Sequence, residues 1–545
     1  MSQWTPVTYV IGAEPARLQD LGDEVKNMPA REITKDTNMA EIVKLCPGAR
    51  RIFDQHGLKG CGGEHGPSEP LSFFAAVHQA NLEELLREIN AEMADPSSKP
   101  YVYKASLEDY IYRRFFKAGV AIVLTVGCLW GAINLLQIAM GKNFLNLHLL
   151  PSIHAHAHAM IFGWVGMFVM GFAYQSFPRF KNCKLWRPVL ANLSFYLLGT
   201  GIAAGMAADV MPTTLVSLVL GAISGASEIT AVVLFMTVLY RTARQSVGPP
   251  NPYEKFTATS FIWFLLGTVL EAVFFFAQAT AHSEHSLIMR IALIDGPLRD
   301  IQLLGFAALI IAGVSQRFVP HVFGLGKPVH DRQSLIFLLM NGSLILNIAS
   351  YILLLTTHNL YSAAGLELAY LLMPVWAVLL AIQIGVFRRP SQPDRTFKFV
   401  RAAYVWLLIS CTMMPFFPLY GALTHQVFAH TYMGSHRHAF TVGFISMMIL
   451  GVSSRVVPIL AGVDAKRMDT LWAPFVLFNA GCAGRVVLQV LTDFIPGVAY
   501  ALIGFTGFVE LAALAWWGME LWRTMNLAAK GGEASMAMPF PVPAR

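Results

Sequence analysis

The chain has 545 residues, of which 55% are hydrophobic and only 13% charged, and its mean hydropathy is +0.52. These values exclude an ordinary soluble globular protein and indicate a polytopic helical membrane protein surrounded by lipid. The formal charge of +7 predicts no nucleic-acid partner, because most arginines and lysines lie in the connections between apolar runs. The six cysteines show no CxxC spacing, which excludes a disulfide framework or a zinc module.

Four segments flank or precede the apolar part of the chain. Residues 1–30 form a polar lead without periodicity, and residues 31–95 are predicted to be a small soluble helical domain. Residues 96–110 form a linker, and residues 526–545 form a C-terminal tail. Within the small domain, Cys61 lies in a glycine-rich turn. It is a candidate redox thiol, and a small residue placed in a turn is the simpler alternative.

The region 111–525 predicts an all-α bundle, because it contains about twelve apolar runs long enough to span a membrane. Alternate connections carry the arginines and lysines, and the opposite connections hold little beyond Lys142 and Arg290. By the positive-inside rule, both termini and the small domain are predicted to be cytoplasmic. The runs lie roughly at 118–139, 154–176, 188–208, 215–240, 257–280, 297–318, 334–356, 362–387, 402–423, 436–457, 471–492 and 497–522.

A glycine and proline pattern recurs three times in this region. The closing prolines, Pro178, Pro320 and Pro458, are 142 and 138 residues apart. A near-constant long period predicts that one four-helix membrane unit is used three times. The other matched positions are Gly163, Gly305 and Gly443; Gly171, Gly313 and Gly451; and Gln175, Arg317 and Arg455.

Histidines mark the heads of the repeated helix in the first and third units only. His156 matches His436 and His158 matches His438, whereas the middle unit holds Leu298 and Asp300. At about 100° per helical residue, positions two apart face nearly opposite sides. His436 and His438 therefore cannot bind one small metal together, but each is able to reach a separate flat cofactor. Interfacial histidines bonded to water or carbonyls are the alternative.

Further candidates are buried acids and outward-facing histidines. Glu228 and Glu271 lie in apolar runs, so each is predicted to be protonated, paired or part of a proton path. A structural pair with Arg485 is equally compatible with the sequence. His282 and His285, at helical i,i+3 spacing, and other outward-facing histidines such as His154 suggest copper or another metal near the outer face, with a hydrated loop as the competing interpretation.

The segments HAHAMIFGWVGMFVMGFAYQSFPR, from His156, and SHRHAFTVGF, from Ser435, resemble the second and tenth spans of heme-copper oxidase subunit I. The resemblance implies that His156 and His438 are axial ligands of a low-spin heme b and that His436 binds a second, high-spin heme. His158 is the alternative to His156, because the repeat pairs it with His438, and His154 is the third choice.

The sequence departs from the oxidases in its sixth and seventh spans, which lack the histidines that hold copper there. The better resemblance is to the NnrS family, through the GVSQRFVP and GVSSRVVP endings. It implies an inner-membrane protein of a bacterium with one or two hemes, copper as a further candidate, and a link to nitric oxide and nitrosative stress. Arg299 and Arg437 would then pair with heme propionates, with snorkelling as the alternative. Asp300, beside Arg299, is a candidate for a local ion pair or a replacement metal ligand.

Three functional interpretations follow from these resemblances. The favoured one is heme-dependent handling of nitric oxide, in which His436 is the reacting site, Glu228 and Glu271 deliver protons, and an unidentified donor supplies electrons. The others are a divergent terminal oxidase or nitric oxide reductase subunit, acting on oxygen or nitric oxide, and a heme sensor or transporter without catalysis. The FDQHGLKGCGG turn resembles the small domain of ScdA-type repair proteins, which implies redox or iron chemistry near Cys61.

Overall fold

A computed structural model provides the fold of the chain. It describes two regions, a small N-terminal domain and a membrane domain. Cys61, the predicted redox thiol, lies outside the described residues. The described residues are 32–56, 70–78, 80–96, 107–144, 147–181, 183–246, 250–326, 331–391, 394–463 and 468–535.

Twelve helices in the described part of the chain are long and apolar enough to cross a membrane, which confirms the predicted all-α, multi-pass architecture. The sixth helix begins 13 residues before the predicted start at 297, because Ser283 and Ser286 form a capping box ahead of Glu284. The spans are Leu107–Gly141, Leu150–Phe180, Pro188–Val210, Leu215–Ala243, Glu254–Ala279, Glu284–Val322, Gln333–Thr357, Leu360–Ile384, Phe397–Thr424, His430–Ala461, Trp472–Leu491 and Pro496–Leu527.

The second, sixth and tenth spans, hereafter the central helices, form the middle of the bundle. Their most apolar windows are 78%, 61% and 67% buried, against 28–50% for the other nine spans. In each unit of four, the last two helices pack against each other, and each unit adjoins the next through its last and first helices. The first and twelfth spans close the ring, where Lys117 donates a 2.7 Å hydrogen bond to Asn526.

Each central helix contains an eight-residue π-helical segment, and these segments repeat with the sequence motif. They are Ala159–Gly166, Ile301–Ala308 and Ala439–Ser446, whose first residues are 142 and 138 positions apart. Such wide turns are rare and occur mostly at functional sites. The equal offsets show that the three units share one local backbone geometry.

The repeated glycine inside each π-helical segment allows the first helix of the same unit to approach closely. A Cβ built on Gly163 would lie 2.6 Å from Ile122, and one on Gly443 would lie 2.5 Å from Trp406. In the middle unit, a Cβ on Gly305 would lie 2.8 Å from Trp263. The absence of a side chain at this position therefore sets the spacing between helices in all three units.

The N-terminal domain is a small four-helix unit with its own apolar core. Its helices are Met39–Leu45, Ala49–Gln55, Leu71–His78 and Leu82–Ala94. The core includes Cys46, which ends the first helix, and burial raises the pKa of its thiol. A raised thiol pKa disfavours the reactive thiolate.

This domain rests on the C-terminal ends of the central helices. Leu460 of the tenth span packs against its core, and the Phe73 ring lies 5.9 Å from the His321 ring of the sixth span. The helix Leu71–His78 also contacts the last part of the second span. All three central helices therefore end at the small domain.

We predict that Gly443→Ala lowers the stability of the membrane domain by about 1–3 kcal/mol, because the new methyl group would overlap the Trp406 ring. Thermal unfolding of the purified protein in detergent measures this change. The matched control is Gly199→Ala in the third span, where an added Cβ meets nothing within 4 Å. Equal melting temperatures for the two variants would contradict the close approach described here.

Candidate functional site

Two of the predicted heme ligands, His156 and His436, are held by the same kind of hydrogen bond. The Nδ1 of His156 donates to the carbonyl of Gly127 at 3.0 Å, and the Nδ1 of His436 donates to the carbonyl of Ser410 at 3.0 Å. In both cases the acceptor belongs to the first helix of the same unit. This bond fixes the ring orientation and leaves the lone pair on Nε2, which is the arrangement found in metal-ligating histidines.

The neighbouring histidines, His158 and His438, are bonded in a different way. The Nε2 of His158 lies 2.6 Å from Oε1 of Glu228, and the Nε2 of His438 lies 2.8 Å from Oε1 of Glu510. Each carboxylate belongs to the last helix of the same unit. The structure therefore makes His158 the counterpart of His438, as the repeat predicted. Glu510 was missed by the sequence analysis, although the repeat that pairs the two histidines also aligns it with Glu228.

Glycines on the third helix of each unit make room for these pairs. A Cβ on Gly201 would lie 2.4 Å from Cγ of Glu228, and a Cβ on Gly481 would lie 2.6 Å from Cγ of Glu510. Gly205 in turn lies against the His158 ring. The histidine–carboxylate pairs are therefore enclosed by backbone on one side.

An ionic chain crosses the middle of the bundle. Arg299 donates to Glu271 at 3.0 Å and to Asp295 at 3.1 Å, and Arg437 donates to Asp295 at 3.3 Å. Glu271 therefore pairs with Arg299, and the alternative pairing of Glu271 with Arg485 is wrong. Neither arginine snorkels towards the surface through a free guanidinium.

Asp300 does not form the local pair with Arg299 that the sequence allowed. Its Oδ2 accepts a 2.7 Å hydrogen bond from Nδ2 of Asn347 in the seventh span. The nearer carboxylates of Glu271 and Asp295 already engage Arg299. The middle unit thus replaces the histidine–glutamate pair of its neighbours with an aspartate–asparagine pair.

His156 and His438 lie in one cluster between the first and third units. His156 is within electrostatic range of His438, Arg485 and Glu510. Arg485 therefore accompanies Glu510, and not Glu228. The second and tenth spans also touch directly, since Nε1 of Trp164 donates to Oγ of Ser446 at 3.0 Å.

A second cavity-lining cluster brings together the two predicted proton-path acids. Glu228 and Glu271 line a cavity of about 380 Å³ of empty space, together with His154 and His158. Asp209, at the end of the third span, also lines it and was not identified from the sequence. The His154 ring packs edge-on against Phe274 at 5.1 Å. This cavity can hold protons on several adjacent groups.

The outward histidines do not assemble into a metal site in the described residues, where no group of three or more histidine, cysteine, aspartate or glutamate side chains could hold an ion. His282 and His285 are both exposed. The predicted helical i,i+3 spacing for this pair is wrong, because the helix starts at Glu284 and His282 precedes the cap residue Ser283. Copper binding therefore stays a prediction without a ligand set.

The side chains fit a heme in two respects. His156 and His436 present Nε2 as a ligand atom, for the reason given above. Three buried arginine N–H groups in the same region, on Arg299, Arg437 and Arg485, have no hydrogen-bond partner among the described residues. Such groups suit the carboxylates of a porphyrin. His438 fits less directly, because axial ligation through Nε2 would require it to exchange its hydrogen bond with Glu510.

The fold and these clusters define a class of protein: a multi-pass membrane protein of three four-helix units, with buried histidines at the same end of two central helices. A family model described as "NnrS protein" matches residues 107–526. The chain belongs to the NnrS family. No curated protein matches the chain.

We predict that Glu228→Ala destabilises the protein by about 3–5 kcal/mol, because it leaves His158 buried without its partner. The double variant His158→Phe/Glu228→Leu should recover most of that loss, since both polar groups are removed together. Thermal unfolding of the single and double variants measures the coupling. Strictly additive effects would show that the pair does not act as a unit.

Proposed function

We propose that this protein is a heme-binding membrane protein that handles nitric oxide and relieves nitrosative stress. The observation that carries the proposal is the matched bonding of His156 and His436, whose Nδ1 atoms both donate to backbone carbonyls. This bonding presents two ligand atoms within the family to which the chain belongs. When bound, a heme supplies a redox-active iron able to take a diatomic gas.

We assign the residues as follows. His156 and His438 would hold a low-spin heme b between the first and third units, where the structure brings them into one cluster. His436, packed against the ninth span, would hold a second heme. Arg299, Arg437 and Arg485 would bind its anionic carboxylates through their unpartnered N–H groups. The backbone carbonyls of Gly127 and Ser410 act as positioning groups for the two imidazoles.

The acids would serve proton storage rather than metal binding. Glu228 shares a hydrogen bond with His158, and both face the same cavity as Asp209. Glu271 is fixed by Arg299 and Gln302 and acts mainly as a counter-charge. A reductive reaction at the neighbouring site would draw its protons from the first group and not from Glu271.

Heme quantitation with reduced-minus-oxidised and carbon monoxide difference spectra tests the assignment. We expect His156→Ala and His438→Ala to lose the low-spin signal and His436→Ala to lose carbon monoxide binding. His158→Ala should retain both signals, because its ring is bonded to Glu228. His282→Ala, on the exposed end of the bundle, is the matched control.

Two results would overturn this assignment. Purified protein that contains no heme would remove the proposed function itself. If His158→Ala lost the low-spin signal while His156→Ala kept it, the ligand in the second span would be His158, and Glu228 would have to release it on heme binding.

We also propose that the protein lies in the bacterial inner membrane with both termini in the cytoplasm, because the cationic connections alternate. A reporter fused after residue 545 should therefore show cytoplasmic activity. A reporter inserted beside the exposed His282 should show periplasmic activity. Identical readouts at the two positions would contradict an even number of spans between them and the proposed orientation.

A further inference from the structure

A second cavity lies between the three central helices, on the side of the π-helical segments away from the histidines. It contains about 710 Å³ of space not filled by protein atoms. We call it the central chamber. Its lining residues are Phe116, Val165, Phe168, Val169, Phe172, Ala307, Ile310, Ile311, Val314, Ser315, Phe318, Val319, Ile445, Met448, Ile449, Val452 and Ser453.

The lining of the central chamber is almost wholly apolar. Only the hydroxyls of Ser315 and Ser453 interrupt it, and the Ser453 hydroxyl donates to the carbonyl of Ile449 in its own helix. A water molecule needs two to four polar partners to stay in a cavity, so a chamber of this kind remains dry and takes apolar ligands. None of the lining residues is ionisable or a histidine, so the chamber is distinct from the proposed heme sites.

The position of the chamber argues against a lipid chain as its occupant. All but one of its lining residues belong to the central helices, which are the most buried of the twelve spans. Aromatic and polar contacts join these helices at either end of the chamber. Trp164 bonds to Ser446 on one side, and the rings of Phe172 and Phe318 pack at 6.4 Å on the other.

The chamber is also close to the proposed site of chemistry. Its lining includes Ile445, which is seven residues from His438 along the tenth span. At 1.5 Å per residue, that separation is about 10 Å along the helix. A small molecule held in the chamber would therefore lie one short step from the histidines.

We propose that the central chamber binds a small apolar diatomic gas and stores it beside the histidine cluster. The cavity chemistry alone points to an uncharged apolar molecule of a few atoms. That the molecule is nitric oxide rests on the function proposed above. The wall of the chamber is shared by all three units, so the chamber exists only in the assembled bundle.

Crystals of the full-length protein pressurised with xenon test the chamber directly, because xenon is an apolar probe that enters dry cavities. We expect an anomalous peak between the central helices in the wild type. Val314→Trp fills the chamber and should lower the xenon occupancy at least tenfold. The matched control is Val233→Trp, whose valine is 43% exposed on the outside of the fourth span and which should leave the peak unchanged.

Several outcomes would overturn the proposal. These are the absence of a xenon peak in the wild type, a peak that survives Val314→Trp, and an acyl chain occupying the chamber. If Val314→Trp does not fold, Ala307→Leu provides a smaller filling change at the same wall, and its failure to reduce xenon occupancy would count equally against the chamber.

The test separates this inference from the proposed function. Xenon binding requires no heme, so a xenon peak in a protein that holds no heme would support the chamber and remove only the link to nitric oxide. In heme-loaded protein, flash photolysis of bound carbon monoxide gives a second measurement. Val314→Trp should then reduce the slowly rebinding fraction several-fold, with equilibrium affinity and spectra unchanged, and an unaltered fraction would count against storage.

Discussion

The structure depends on one constraint: every polar side chain placed inside the apolar bundle must find its partner within protein. In this chain the first and third units meet that constraint internally. His156 and His436 bond to carbonyls of their own first helix, and His158 and His438 bond to carboxylates of their own last helix. Because an unpaired group in hydrocarbon costs several kcal/mol, these bonds fix the rotation of the central helices. The site follows from that rotation.

The middle unit shows how the same scaffold was altered. It keeps the π-helical segment and the close glycine, but it carries Asp300 bonded to Asn347 where its neighbours carry histidine and glutamate. Its charge is directed instead into the chain from Glu271 through Arg299 to Asp295. That chain reaches Arg437 and so connects the second unit to the third. Shared geometry with different chemistry gives three non-identical compartments around one axis.

Much of this architecture could be predicted from the sequence, because apolar length and a repeated glycine and proline pattern report directly on helices and their close contacts. The start of the sixth helix could not, since a Ser283 capping box and not hydrophobicity determines it. Glu510 was missed because its partner lies 72 residues away, and a single acid in an apolar run gives no indication of direction. The partners of Arg299 were ambiguous for the same reason. Contacts between distant spans require the fold.

The closure of the ring between the first and twelfth spans has a consequence for biogenesis. Ala132 and Gly507 meet so closely that a Cβ on the glycine would lie 2.9 Å from the alanine, and this seam joins the earliest and latest membrane segments to leave the ribosome. Until the last one is inserted, the first unit has an unfilled flank open to lipid. Truncated or stalled chains would expose that flank, so quality control should recognise them by it, and the bundle should mature only after synthesis is complete.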